Sequence, residues 1–247
     1  MSILNIKDLC KNFGEVQVLR HVNMNVDAGE FVAVMGQSGS GKSTLLYCVS
    51  GMDNPPSGTI CFQGNELTGM SEKKMQKLRL NNMGFVFQKT SFLKNLSVAD
   101  NIVYPAFQLG KKDRRTIVKE MESLMEEMGI AEIVGRDISQ VSGGQLQRAA
   151  ICRAMINHPD ILFGDELTGA LNSSSTMEVM DILTRINQNG TTVLLVTHDS
   201  KVAMRADRVI YFEDGQIRDT LSLGKYDPSD ILLRERSMKD WLERMKF

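Results

Sequence analysis

The segment Gly36-Gln37-Ser38-Gly39-Ser40-Gly41-Lys42-Ser43 constrains this chain more than any other. It fits G-x-x-x-x-G-K-[ST], and it stands between an apolar run, Glu30 to Met35, and a helical pattern from about Lys42 to Gly51. Glycines let the backbone curl until successive N–H groups point inward, and the start of the helix adds partial positive charge. The product is a cradle for phosphate oxygens. Lys42 is expected to reach the β- and γ-phosphates of a nucleotide, and the Ser43 hydroxyl to bind Mg²⁺. Gly36, Ser38, Gly39, Ser40, Gly41, Lys42, Ser43 and Thr44 are therefore the expected phosphate-binding residues. The alternative, a chance glycine-rich turn, gives no reason for the strand before it and the helix after it.

The rest of the chain reads as alternating strands and helices. Short strands are expected over the first 30 residues or so, where Leu4, Ile6, Leu9, Val16, Val18, Val22, Met24 and Val26 roughly alternate with polar residues. Thr59 to Phe62, Gly84 to Phe87, Ile161 to Phe163, Thr192 to Val196 and Val209 to Phe212 are further strands, the last opening a hairpin through Asp214-Gly215. Helices are expected from about Ser71, over about 112–128, from Gly143 to His158, over Ser175 to Asn187 and along the tail from Ser229 to Phe247. That order argues an α/β fold with a mainly parallel sheet. Ile161-Leu-Phe-Gly-Asp165-Glu166 ends an apolar strand in two acids, at the strand edge where open parallel sheets bind ligands. Asp165 there can hold Mg²⁺, and Glu166 can polarise water for attack on the γ-phosphate.

Charge and cysteine content exclude other classes. Lys and Arg total 29 against 30 Asp and Glu in 247 residues, so there is no electrostatic reason to expect nucleic acid or anionic lipid. Cys10, Cys48, Cys61 and Cys152 are scattered without a C-x-x-C pair, as expected for reduced thiols used as small apolar residues. The N-terminus lacks a signal-peptide pattern and the apolar runs are strand-sized, so the chain is expected to be soluble and cytosolic.

Further segments narrow the reading. Val141-Ser142-Gly143-Gly144-Gln145-Leu146-Gln147-Arg148 resembles the ABC signature motif, and it precedes the Asp165-Glu166 strand as in that family. Gln88, closing Gly84-Phe-Val-Phe-Gln, is similar to the Q-loop glutamine; His198 in Val196-Thr-His-Asp is similar to the switch histidine; Phe13 resembles the aromatic that stacks on adenine. The resemblance covers about the first 220 residues. It implies an α/β P-loop NTPase of the ABC ATPase type, with a RecA-like parallel sheet core, an N-terminal antiparallel β subdomain and an inserted α-helical subdomain at about 89–157. The ATP-binding domain is then expected over 1–225 and a C-terminal amphipathic helix over 226–247. Glu166, His198, Lys42 and Gln88 take the catalytic roles, and Ser43, Gln88 and Asp165 the Mg²⁺. Phe13 and Ser142, Gly143, Gly144 and Gln145 join the ATP-binding set, the last four acting across a head-to-tail homodimer that sandwiches two ATPs. Three positions depart from the family pattern: Leu167 for proline, Asn172 for aspartate in the D-loop, and Val141 for leucine. The Asn172 change removes a charge expected near the dimer seam, which raises the expectation of weaker coupling between ATP sites.

Met83 to Gln88, Phe92 to Asn101 and Tyr104-Pro105 resemble ATPase subunits of lipoprotein-release, macrolide-exporter and bacitracin-type antimicrobial-peptide transporters. Those act with a separate permease, so a peripheral location on the cytoplasmic face of the inner or plasma membrane is implied. Cargo would be amphipathic compounds, peptides or lipoproteins. A cell-division ATPase that signals through a similar permease without moving cargo is the alternative. A DNA-repair ATPase is excluded, because about a hundred residues between Ser43 and Ser142 leave no room for a long coiled-coil arm. A translation ATPase would carry two cassettes rather than one. The methionines of the 112–128 helix and the apolar face of the tail are expected to pack into this chain's own core.

Overall fold

The computed structural model describes residues 1–245. In chain order the elements are β1 (Ser2–Phe13), β2 (Val16–Asp27), β3 (Phe31–Met35), α1 (Lys42–Val49), β4 (Ser57–Phe62), β5 (Asn65–Glu66), α2 (Glu72–Asn82), β6 (Met83–Phe87), α3 (Val98–Leu109), α4 (Arg114–Glu127), α5 (Gly143–Met155), β7 (Ile161–Asp165), α6 (Ser173–Gln188), β8 (Thr192–Val196), α7 (Ser200–Ala203), β9 (Arg208–Glu213), β10 (Gln216–Ser222) and α8 (Ile231–Met245). They form two compact units, Met1–Met75 with Ile186–Phe247, and Gln76–Arg185. Among the described residues no helix is long and apolar enough to cross a membrane.

The first unit holds an antiparallel sheet in the order β2-β1-β4-β5. Its first two strands are each 12 residues long rather than the short strands expected. The alternation of apolar residues falters because the register shifts between Ile6 and Leu9 and again by Lys11, with Asp8 and His21 both at positive φ. Bulges of this kind keep Leu4, Ile6, Leu9 and Leu19 buried although the sequence period slips. The same unit carries the strand order β10-β9-β3-β8, in which β3 runs parallel to both neighbours and β10 is antiparallel to β9. Every residue of β3 and β8 is buried, which is why both read as continuous apolar runs.

The tail helix α8 docks on this unit through Met238 and Trp241 of its expected apolar face, with Leu232 the exception. Met238 and Trp241 are buried, whereas Leu232 is 75% exposed. Arg234 takes the inner position instead. Its guanidinium donates to the carbonyls of Met204, Ala206, Gly224 and Lys225 and lies over the Tyr226 ring. Four carbonyl acceptors make a buried arginine tolerable on that inward face. Trp241 donates Nε1–H to Asp219 at 2.8 Å and meets Tyr211 edge to face. Lys246 and Phe247, the end of the expected helix, lie outside the described residues.

In the second unit β6 and β7 pair in parallel, and α3, α4 and α5 pack on one another. Met121, Met125 and Met128 are 5% exposed or less, so these methionines fill the core. No helix is expected over 98–109 from the sequence, although the resemblance implies an α-helical subdomain there. Ser97 caps α3 by accepting from Asp100 N, and Pro105 sits inside it. Buried Asn101 fixes the preceding turn, accepting from Leu93 N and donating to the Leu93, Leu96 and Ser97 carbonyls. The four cysteines are free, and burial pushes the Cys48 and Cys152 thiols up to about 12.

Candidate nucleotide site

In the first unit the phosphate loop closes on glycine conformations that no other residue supplies. Gly36 has φ 153°, and a Cβ there would strike the Phe212 carbonyl of β9. Gly41, at φ 103°, is the N-cap of α1, and a Cβ there would lie 2.9 Å from the Val18 carbonyl of β2. Two neighbouring backbones thus press the loop into shape. The Lys42 ammonium donates to the carbonyls of Gly36 and Gln37 at 2.8 and 2.7 Å, lying back across the loop it is expected to serve. Ser40 Oγ is buried with no hydrogen-bond partner among the described residues. An unsatisfied buried hydroxyl in a glycine-rich loop at a helix N-terminus fits an incoming phosphate. Ser38 and Gly39 are exposed, while Ser43 and Thr44 on the first turn of α1 are half-buried.

The parallel pairing of β3 with β8 brings His198 to the same sheet end. Val34 pairs with Val196, and Thr197 N donates to Val34 O at 3.1 Å, so the chain leaves β8 level with the start of the loop. His198 is exposed there; the next residue, Asp199, caps α7. Phe13, at the end of β1 and 54% exposed, pairs with Val16, two residues before the Val18 that presses on Gly41.

The second unit gathers the carboxylates. Phe87 and Asp165 are register partners, and Gln88 N donates to Asp165 O at 2.9 Å. Gln88, Asp165 and Glu166 therefore leave the strand pair at one edge. Asp165 is buried, at 9% exposure. Glu166 adopts φ 48°, a left-handed conformation rare for glutamate that costs of order 1–3 kcal/mol. Gly169 N donates back to Glu166 O, and a Cβ on Gly169 would come 2.9 Å from Gln88 Nε2. Leu167, one of the departures, is buried.

The signature forms the N-terminus of α5. Ser142 Oγ accepts from Gln145 N, and the Gln145 side chain accepts from Ser142 N at 2.9 Å, a reciprocal capping box. Gln145 also donates to Glu132 Oε1 at 3.0 Å, so its side chain is held within the cap. Gly143 is exposed, and a Cβ there would meet nothing within 4 Å. Gly144 is tighter, with Ser175 Oγ 3.0 Å from a Cβ there. Two residues hold positions that their sequence neighbours do not announce. Buried Gln147 donates to Phe87 O at 3.3 Å, fastening the signature helix to the strand that ends in Gln88; its place inside the signature is the signal that marks it. Asn172 Oδ1 accepts from Ser175 N at 2.8 Å and so closes the first turn of α6. A cavity of about 790 Å³ opens in this unit between the loop after Gln88 and the signature helix, lined by Phe92, Lys94, Asp137, Ser139 and Leu146 among others.

Comparison with known proteins places the chain in a family. A family profile described as ABC transporter matches residues 19–169. The macrolide export ATP-binding/permease protein MacB of Campylobacter jejuni is 40% identical over 212 residues, covering 86% of this chain and 33% of that protein. MacB of Neisseria meningitidis is 36% identical over 245 residues, covering 98% of this chain and 38% of that protein. The chain thus spans little more than a third of the length of the curated relatives it matches. The dimeric structure of MJ0796, a bacterial ABC transporter cassette, superimposes with a TM-score of 0.84 at 32% identity, covering 90% of this chain and all of the other. A post-hydrolysis dimer of the same cassette with ADP and Pi gives 0.81 at 33% identity and the same coverage. A phosphate loop shaped by its neighbours, a capped signature helix and two acids at a strand end are thus found together in a chain that belongs to the ABC transporter family, as an α/β ATP-binding domain of the ABC ATPase type.

Proposed function

We propose that this chain binds ATP with Mg²⁺, hydrolyses it to ADP and phosphate, and thereby drives a membrane permease. The observation that carries the reading is the loop 36–43, whose glycines at 36 and 41 admit no side chain and whose buried Ser40 hydroxyl awaits a partner. Backbone N–H groups at the head of α1 would cradle the phosphates, with Lys42 leaving its loop carbonyls for the β- and γ-oxygens. Ser43, Gln88 and Asp165 are the residues we assign to Mg²⁺. When bound, that ion would neutralise the charge that develops on the phosphate oxygens. Glu166 would take a proton from the attacking water, and His198 would orient that water and donate to the γ-phosphate. Phe13 would stack on adenine. Ser142, Gly143, Gly144 and Gln145 would present their helix N-terminus to the ATP of a second copy, in a head-to-tail dimer. The dimeric form of MJ0796 supports this last assignment.

For the partner, the resemblance to ATP-binding/permease exporters supports a membrane permease, and a peripheral site on the cytoplasmic membrane face follows from it. The cavity beside the loop after Gln88 is the proposed seat for that permease. The cargo class we favour is amphipathic compounds, peptides or lipoproteins. Replacing Glu166 by Gln keeps shape but removes the proton acceptor. ATPase turnover should fall at least about a hundredfold, and an ATP-bound dimer should accumulate in size-exclusion chromatography. Normal turnover, or a variant that stays monomeric with ATP, would show that Glu166 is not the general base.

A further inference from the structure

Lys11 belongs to none of the nucleotide-binding motifs, yet it is 8% exposed, unusual for a lysine outside a catalytic role. Its ammonium lies 2.7 Å from Asp53 Oδ1 and donates to Asn54 O at 2.9 Å. Both partners belong to the turn that follows α1, and that turn is anchored because Met52 N and Asp53 N each donate to Tyr47 O. Lys11 therefore ties β1 to the far end of the helix whose near end is the phosphate loop. The same ammonium stands 5.1 Å from the centroid of the Phe13 ring.

Phe13 needs such a tie. Its ring has no hydroxyl with which to anchor itself, and 54% of the residue is exposed. A cation on one face holds a ring by its quadrupole and draws π density toward that face. The opposite face is then left depleted and suited to an electron-rich, flat partner. The position is right for one, since β2 touches the phosphate loop at Gly41 two residues from Phe13's register partner.

We propose that Lys11 is a positioning residue for base recognition, holding the Phe13 ring as a one-sided platform for a purine; this rests on the reading of the chain as ATP-binding. The platform acts on the base and not on the phosphates, which separates it from mere structural support. The test compares ATP with inorganic triphosphate, which has no base, by isothermal titration of the full chain. Lys11→Gln should raise the Kd for ATP about five-fold and leave that for triphosphate unchanged. Lys11→Arg, which keeps the charge over the ring, should restore ATP affinity to within about two-fold of wild type. Added to Phe13→Ala, Lys11→Gln should have no further effect, because the ring through which it acts is gone. Equal losses for ATP and triphosphate would make Lys11 a folding residue only, and unchanged ATP affinity would overturn the proposal outright. A wild-type chain that binds neither ligand would overturn the ATP-binding reading itself. A wild-type chain that binds both equally would keep the phosphate site and remove the base platform.

Discussion

At the scale of single residues, two glycines at helix starts answer different demands. Gly41 is fixed by its fold: a side chain would meet the Val18 carbonyl, and its φ of 103° is left-handed. Gly41→Ala should lower unfolding free energy by at least about 1–2 kcal/mol in chemical denaturation. Gly143 has open space and no positive φ, so Gly143→Ala should leave stability unchanged or raise it by up to about 1 kcal/mol. If the signature faces a phosphate, that same variant should still lose ATPase activity, giving a protein that is no less stable but slower. Retained activity would argue against close approach at Gly143. The phosphate loop was legible in the sequence because glycine spacing and the buried strand before it are both local signals. Lys11 was not, because its partner Asp53 lies 42 residues away and only the fold brings them together. Arg234 was illegible for the opposite reason: a charged residue on an amphipathic helix reads as outward-facing until four carbonyls appear beneath it.

Between residue and fold stand the helices, and their ends decide much of what happens at the site. Asn172 is a departure from the family's aspartate, with weaker coupling of sites the expectation from its missing charge. Its side chain caps α6, a task aspartate performs equally well. Asn172→Ala should cost about 1 kcal/mol of stability, whereas Asn172→Asp should keep the cap and gain slightly from the helix dipole. Any change in ATP cooperativity with Asn172→Asp would then belong to charge and not to a lost cap. Helix α3 shows a signal overlooked. Ser97-Val-Ala-Asp100 is a capping pattern, and Pro105 lies inside the helix without ending it. For α8 the anchor is Arg234. Arg234→Ala leaves four carbonyls without that donor, so limited proteolysis should cut the tail faster and the melting temperature should fall by several degrees. An unchanged cleavage rate would mean that Trp241 and Met238 alone hold the helix.

Across the whole molecule, each unit carries one helix N-terminus to which we assign phosphate binding: α1 in the first and α5 in the second. Under the proposed head-to-tail pairing, each copy would lend its signature to the other's ATP. Complementation can read this directly. Lys42→Ala loses the phosphate loop and keeps the signature; Ser142→Ala does the reverse. Mixed in equal amounts, two inactive variants should recover about a quarter of wild-type turnover, since half the dimers are mixed and each of those has one intact site of two. If one chain completes its own site, the mixture should stay as inactive as its components.

Trp241 is the sole tryptophan of the chain. It rests on Tyr211, which is the register partner of Met35, the residue before the phosphate loop; the next carbonyl, that of Phe212, faces Gly36. The protein therefore contains its own fluorophore, shielded from solvent and one strand away from the segment that would grip a nucleotide. Its emission can report on that segment in the unaltered chain, without a dye, a tag or a substituted residue.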